Sequence, residues 1–172
     1  MDRHPASLPA EDLLAECEIR RQKRGGPGGQ HRNKVETAVV ITHRPTGVVA
    51  EANERRSQAE NLAQATSRLR LKLAVAVRST LTDNSIATSL PSPLWRSRCE
   101  NQRISVSDTH QDFPALLAEA LDTLAAADFN IASAASQLCV TSSQLTRFIQ
   151  SEPTAWSLLN EARRTRGLRP LK

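Results

Sequence analysis

The sequence predicts an α+β chain, with a small antiparallel sheet packed on one helix, followed by an all-α segment. Three observations predict it. Two β-branched runs, Thr37–His43 (TAVVITH) and Gly47–Ala52 (GVVAEA), flank a turn punctuated by Pro45 and Gly47, the pattern of a hairpin. Leu62, Ala65, Leu69, Leu73 and Ala76 then step by three or four, giving one apolar stripe of helical period. From Pro114 onward, Leu, Ala and Ile recur at helical spacing in several short segments.

Each element has a local reason. Cys17–Arg21 (CEIRR) alternates loosely, as a first strand would. Ser57 and Glu60 fit the S-x-x-E capping box, so the striped helix starts there, and it is expected to end near Ser79 or Thr80. From Thr82 to about Asp112 the composition shifts to Ser, Thr, Asn and Pro, which reads as a linker with Trp95 docked on a neighbour. Pro114–Phe129 is predicted helical, with Leu117, Leu121, Leu124 and Ala125 on one face. Ile131–Leu138 suits a helix and Cys139–Val140 a tight turn. Thr141-x-x-Gln144 caps another helix whose buried face is Leu145, Phe148 and Ile149. That is a helix-turn-helix pattern, and Ala155–Arg166 adds a helix after Pro153. The expected domains are 1–80, a linker at 81–112, and a helical segment at 113–172.

Charge is distributed unevenly. Residues 1–80 hold 14 Lys/Arg against 9 Asp/Glu, whereas the remainder is balanced, so the excess positive charge sits in the first half. Arg20–Lys34 carries six basic residues and no acid. A second acid-free cluster, Arg163, Arg164, Arg166, Arg169 and Lys172, closes the chain. Both favour a polyanionic partner. Cys17, Cys99 and Cys139 lie far apart with no CxxC spacing, and the four histidines form no ligand motif, so no disulfide framework or metal site is expected. No cofactor motif is found. The N-terminus lacks an apolar run, and the most apolar stretch, Leu71–Val77, is too short to span a bilayer. A cytoplasmic location without membrane contact is the expectation.

Arg24–Lys34 (RGGPGGQHRNK) concentrates four of the chain's six glycines beside a glutamine. Glycine costs conformational entropy, so such a cluster needs a reason. A Walker A loop fails because the sixth position from Gly25 is Gln30, and the dinucleotide fingerprint fails because Gly26-x-Gly28 leads to His31. The remaining reading from composition alone is a glycine turn beside solvated charge.

The surrounding residues point further. Gly28-Gly29-Gln30-His31 is followed in order by Asn33-Lys34, Ala38-Val39, Ile41-Thr42-His43, Pro45-Thr46-Gly47, Glu51, Arg56-Ser57-Gln58 and Asn61. This run resembles the GGQ domain of bacterial-type class I peptide chain release factors, over roughly Cys17–Leu73, about a third of the chain. Pro27, Lys23, Arg32 and Val35 depart from the family's usual residues, leaving Gly28, Gly29 and Gln30 untouched. The resemblance implies hydrolysis of the ester between a peptide and its tRNA inside the large ribosomal subunit, with Gly28, Gly29 and Gln30 catalytic. A glutamine side chain has no useful basicity, but its amide can place a water and its backbone N–H can donate to developing oxygen charge. His31 fits a loop-supporting or RNA-contacting role better than that of a base.

On this reading Arg20, Arg21, Lys23, Arg24, His31, Arg32, Asn33 and Lys34 contact ribosomal RNA, as do Arg163, Arg164, Arg166, Arg169 and Lys172. The expected partners are the ribosome and peptidyl-tRNA, with a glutamine methyltransferase acting on Gln30 as a further one, and the protein is expected to be a monomer. Only about 25 residues precede the GGQ, leaving no room there for a stop-codon reader, so the chain resembles the small members that rescue stalled ribosomes regardless of codon. Two alternatives stand beside this. One is a non-hydrolytic RNA-binding adaptor with the same fold. The other is a DNA-binding regulator using the helix-turn-helix, whose candidate recognition helix Thr141–Gln150 carries Arg147 as its single cation, a poor electrostatic footprint. The helical segment is accordingly read as a partner-docking or rRNA-docking unit.

Overall fold

A computed structural model describes residues 3–22, 37–79 and 90–172, and the chain divides into two units, Met1–Val77 and Arg78–Lys172. The protein is α+β, as its sequence predicts.

In the first unit, β1 (Cys17–Gln22), β2 (Ala38–His43) and β3 (Val49–Ala52) form an antiparallel sheet in that order. The β1–β2 ladder runs from Cys17 opposite His43 to Gln22 opposite Ala38. The hairpin turn between β2 and β3 closes with Gly47 at φ 70°, a conformation that glycine adopts without strain. Register places Ile19, Val39, Ile41, Ala50 and Ala52 on one face. A long helix, Gln58–Ala76, packs there through Ala65, Leu69 and Leu73, each fully buried. Burying Leu or Ile side chains at such positions contributes about 1.5–3 kcal/mol each. Ser57 caps this helix by accepting from the Glu60 N–H at 3.4 Å.

The helix stops at Ala76, earlier than the sequence suggests, and Ala76 is exposed. The buried stripe instead follows Asn61, Ala65, Leu69 and Leu73, steps of four that drift away from Ala76. Two elements before β1 were not foreseen. A 3-10 turn at Pro5–Ser7 and a short helix, α1 (Ala10–Ala15), bury Ala6 and Leu13. Each is short and buries a single residue, which leaves no period in the sequence. The 58–76 helix is hereafter α2. His4 joins the turn to it, with Nδ1 accepting from the Ala6 N–H and Nε2 donating to the Val77 carbonyl at 3.2 Å.

The second unit contains α3 (Pro93–Ser97), a hairpin of β4 (Cys99–Glu100) and β5 (Arg103–Ile104), α4 (Phe113–Ala126), α5 (Ile131–Gln137), α6 (Ser142–Gln150) and α7 (Pro153–Thr165). Residues 90–112, which read as linker by composition, hold α3 and the hairpin. Trp95 anchors them: it is fully buried, stacks edge-on against Phe148 at 5.8 Å, and donates Nε1–H to the Leu138 carbonyl at 2.8 Å. Phe113 meets the same Phe148 ring at 5.2 Å. One aromatic supplied the burial that a Ser- and Pro-rich composition conceals. The chain on either side of residues 80–89 is pinned to α4, where Asp122 accepts from Ser79 N–H and Arg78, and Glu119 accepts from Ser92 N–H and Oγ–H.

The α5–turn–α6 pattern is present. Cys139 sits at φ 54°, with Val140 N–H bonded to Ala135 O and Cys139 N–H to Ser136 O, the paired bonds of a Schellman C-cap. Thr141 caps α6 by accepting from the Gln144 N–H at 3.2 Å.

Candidate functional site

Residues 23–36 lie outside the described residues, and with them Gly28, Gly29, Gln30, Lys23, Arg24, His31, Arg32, Asn33 and Lys34. What is described is the base from which they leave and to which they return. Gln22 and Ala38 are ladder partners, so the two ends are held one strand spacing apart.

Thr37, the first described residue after the loop, is fixed by Asn61 on the first turns of α2. The Asn61 side-chain amide donates to Thr37 O at 2.7 Å and to Arg55 O at 2.9 Å, while its Oδ1 accepts from Arg55 N–H at 3.0 Å. Asn61 is fully buried, and all three bonds satisfy main chain that has no helix or sheet partner there. Sequence reasoning noted Asn61 only as part of the motif. The hint was available, since an amide on an otherwise apolar helix stripe must find partners.

Arg20 and Arg21 alternate across β1. Arg20 faces the open side of the sheet, where Nε pairs with Glu18 at 2.8 Å, so part of its charge is already answered. Arg21 lines a cleft of about 490 Å³ with Ile19, Val39, Gln58, Ala59 and Leu62, where the inner sheet face outruns α2. The cleft is apolar at its floor and basic at one wall, beside the base of the loop. Arg68 reinforces the nearby α2 entrance, bonding Glu51 O at 2.8 Å and pairing with Glu54 at 2.7 Å. The Arg68 bond holds the Glu54 carboxyl below its ordinary range.

A hydroxyl–imidazole–carboxylate chain does exist, formed by Thr46, His43 and Glu16, with Nδ1 2.7 Å from Thr46 Oγ1 and Nε2 3.0 Å from Glu16. His43 is 2% exposed and stands at the opposite end of β2 from the loop, about 17 Å away. It pins α1 to the hairpin turn, aided by Arg44, which donates to the Ala15 and Glu16 carbonyls. Much of the recognisable motif around Ile41–Gly47 therefore builds the scaffold.

The terminal basic cluster is split in its roles. Arg163 donates to the Phe129 and Arg169 carbonyls and is half-buried. Arg166 lies 4.3 Å over the Phe129 ring. Arg164 pairs with Glu161. Gly167 at φ 71° closes α7, and Leu171 N–H bonds the buried Asn160 Oδ1 at 2.7 Å, so the tail folds back on its own unit. Arg169 and Lys172 keep exposed side chains. No helix among the described residues is long and apolar enough to cross a membrane.

The chain matches the family model described as the RF-1 domain over residues 13–111. It is similar to chloroplastic peptide chain release factor PrfB1 of Arabidopsis thaliana, 52% identical over 68 residues, which cover 40% of this chain and 14% of that protein. It is also similar to peptide chain release factor 1 of Chloroherpeton thalassium, 49% identical over 76 residues, covering 40% of this chain and 21% of that protein. The chain thus spans about a fifth or less of the length of these relatives.

Proposed function

This chain belongs to the RF-1 domain family of bacterial-type class I peptide chain release factors, and on that premise we propose that it hydrolyses the peptidyl-tRNA ester on stalled ribosomes without reading a codon. The observation that supports this most directly is the base of the glycine loop, where a paired strand end and the Asn61–Thr37 bond hold both exits on a rigid sheet and helix. Ends so held give the intervening residues a fixed base, and orientation is the main thing a weakly reactive group contributes.

In the proposed reaction a water oxygen adds to the ester carbonyl carbon. The bond to the tRNA ribose oxygen breaks, and that oxygen takes the proton. Gly28 and Gly29 admit the main chain close to the ester without a Cβ clash. The Gln30 N–H donates to the oxygen that gains charge, and a single preorganised donor of this kind is worth roughly 10²–10³ in rate. The Gln30 side chain shapes the water's site. Proton transfers fall to ribosomal RNA and the tRNA, so the isolated monomer is inert.

Arg21, Lys23, Arg24, His31, Arg32, Asn33 and Lys34 seat the loop on rRNA, with Arg20 contributing less because Glu18 shares its charge. Arg164, Arg169 and Lys172 supply further rRNA contacts. Arg163 and Arg166 serve mainly to hold the tail. A glutamine methyltransferase is the proposed modifying partner, readable as a mass increase of about 14 Da on Gln30, where CH₃ replaces H for a net gain of CH₂. The proposed location is the cytoplasm.

A peptide-release assay on ribosomes programmed with stop, sense and truncated messages tests the reading. Release on truncated messages, abolished or strongly reduced in Gln30→Ala, supports it. Release that requires a stop codon overturns the rescue assignment. Absence of release in every condition overturns the hydrolytic one in favour of an adaptor.

A further inference from the structure

The second unit exposes one face of α6 whose chemistry the release reaction does not use. Leu145, Phe148 and Ile149 are buried, and on the opposite side Ser143, Thr146, Arg147 and Gln150 form a stripe at i, i+3, i+4 and i+7. Ser143, Arg147 and Gln150 are exposed, and Arg147 makes no hydrogen bond or ion pair among the described residues. No Asp or Glu occurs between Asp128 and Glu152, so the whole α5–turn–α6 segment is free of carboxylates.

By sequence, Arg147 is the single cation of α6, a weak footprint. The tertiary structure changes that. Thr141, the cap of α6, donates its N–H to Gln102 O at 3.3 Å, which brings the β4–β5 hairpin and exposed Arg103 to the N-terminal end of the helix. At the other end Gln150 Nε2–H bonds Lys172 O at 3.1 Å, which brings the tail lysine alongside. Cations therefore stand before, on and after a helix about 13 Å long. Glu100, opposite Arg103 across the hairpin, and Glu152, two residues beyond α6, are acids that oppose them.

We infer that this helix-turn-helix docks duplex DNA, with α6 in the major groove. The B-form major groove is about 12 Å wide and admits a helix, whereas the deep, narrow groove of A-form RNA does not. The stripe carries side chains that read base edges, an arginine for guanine and hydroxyls for either, while Gln150 is held by its bond to Lys172 O. Arg103 and Lys172 meet phosphate and hold α6 in register. Docking so described uses none of the residues of the glycine segment, and shares only Lys172 with the proposed rRNA contacts.

The test is fluorescence anisotropy of the full chain with labelled random-sequence duplex DNA and with duplex RNA of equal length. Arg147→Glu and Ser143→Glu should each weaken DNA binding about tenfold or more, with unchanged far-ultraviolet dichroism. Glu100→Gln should strengthen it, by removing the opposing charge. Two variants are used so that a folding defect in one leaves the other decisive. Undetectable DNA binding, binding indifferent to both α6 variants, or binding to duplex RNA as tight as to DNA would each overturn the inference. Indifference to the α6 variants assigns any binding to basic residues elsewhere in the chain.

Discussion

The side-chain amide of Asn61 donates to the carbonyl of Thr37 at 2.7 Å, tying the returning end of the glycine-rich segment to the first turns of α2. With its two bonds to Arg55, it makes Asn61 the residue through which helix, entrance turn and strand are mutually fixed.

Replacing Asn61 with leucine leaves Thr37 O and both Arg55 main-chain groups without their partner. Unsatisfied buried groups cost about 1–3 kcal/mol each, part of which water recovers at the exposed Arg55. A loss of about 2–4 kcal/mol in denaturant-unfolding stability is expected, and Asn61→Asp, which sets a carboxylate oxygen against the Thr37 and Arg55 carbonyls, should cost at least as much.

The carboxyl of Glu119 is raised by burial, against the pull of its Ser92 bonds. The folded chain therefore holds a proton there more tightly than the unfolded chain. This contribution is complete below the ordinary value of 4.5 and is lost as pH rises through the higher folded value. Glu119→Gln should flatten that part of the stability–pH curve, measured by urea midpoints from about pH 4 to 7. An unchanged slope would remove Glu119 from the account.

The three thiols should react in a fixed order. Cys139 is exposed, Cys17 is buried, and burial, helped by Glu119, pushes the Cys99 thiol up to about 11. Only thiolate is nucleophilic, so Cys99 offers about a hundredfold less of it than a thiol at the ordinary 9.0. Burial also raises the Cys17 thiol. Timed iodoacetamide labelling read by mass spectrometry should find Cys139 modified first, with Cys17 and Cys99 following only on unfolding.

Cys139 holds a left-handed conformation that costs a side-chain-bearing residue about 1–2 kcal/mol. Cys139→Gly relieves that strain and surrenders some of the gain to the greater freedom of glycine when unfolded. A net stabilisation of about 0.5–1 kcal/mol is expected in thermal unfolding, since the exposed side chain has little packing to lose.

The tail's cations should separate by role. Arg163→Gln breaks bonds to Phe129 O and Arg169 O and should lower stability by about 1–2 kcal/mol. Arg169→Gln and Lys172→Gln remove exposed charge and should leave stability within about 0.5 kcal/mol. In ribosome pelleting these two should weaken binding and lower its salt dependence, if the tail meets rRNA as proposed.

Secondary structure that repeats was legible along the chain. The hairpin showed in β-branched runs around Pro45 and Gly47, α2 in its capping serine and leucine spacing, and the α5–α6 pair in the Thr141 cap. These rest on neighbours in sequence, whose steric and hydrogen-bonding preferences act over four residues or fewer. The glycine motif and its flanking residues were legible in the same way, as an ordered string.

What the sequence alone determined was this set of local units, their charge, and the family to which the motif points. Only the tertiary structure decided that Trp95 draws residues 90–112 into the second unit's core, that Asn61 fastens Thr37, and that His43 ties Glu16 to Thr46. It also decided that Arg103 and Lys172 flank α6. Such contacts join residues tens of positions apart, and their free energy comes from burial and from satisfying particular main-chain groups. Neither leaves a period in the sequence.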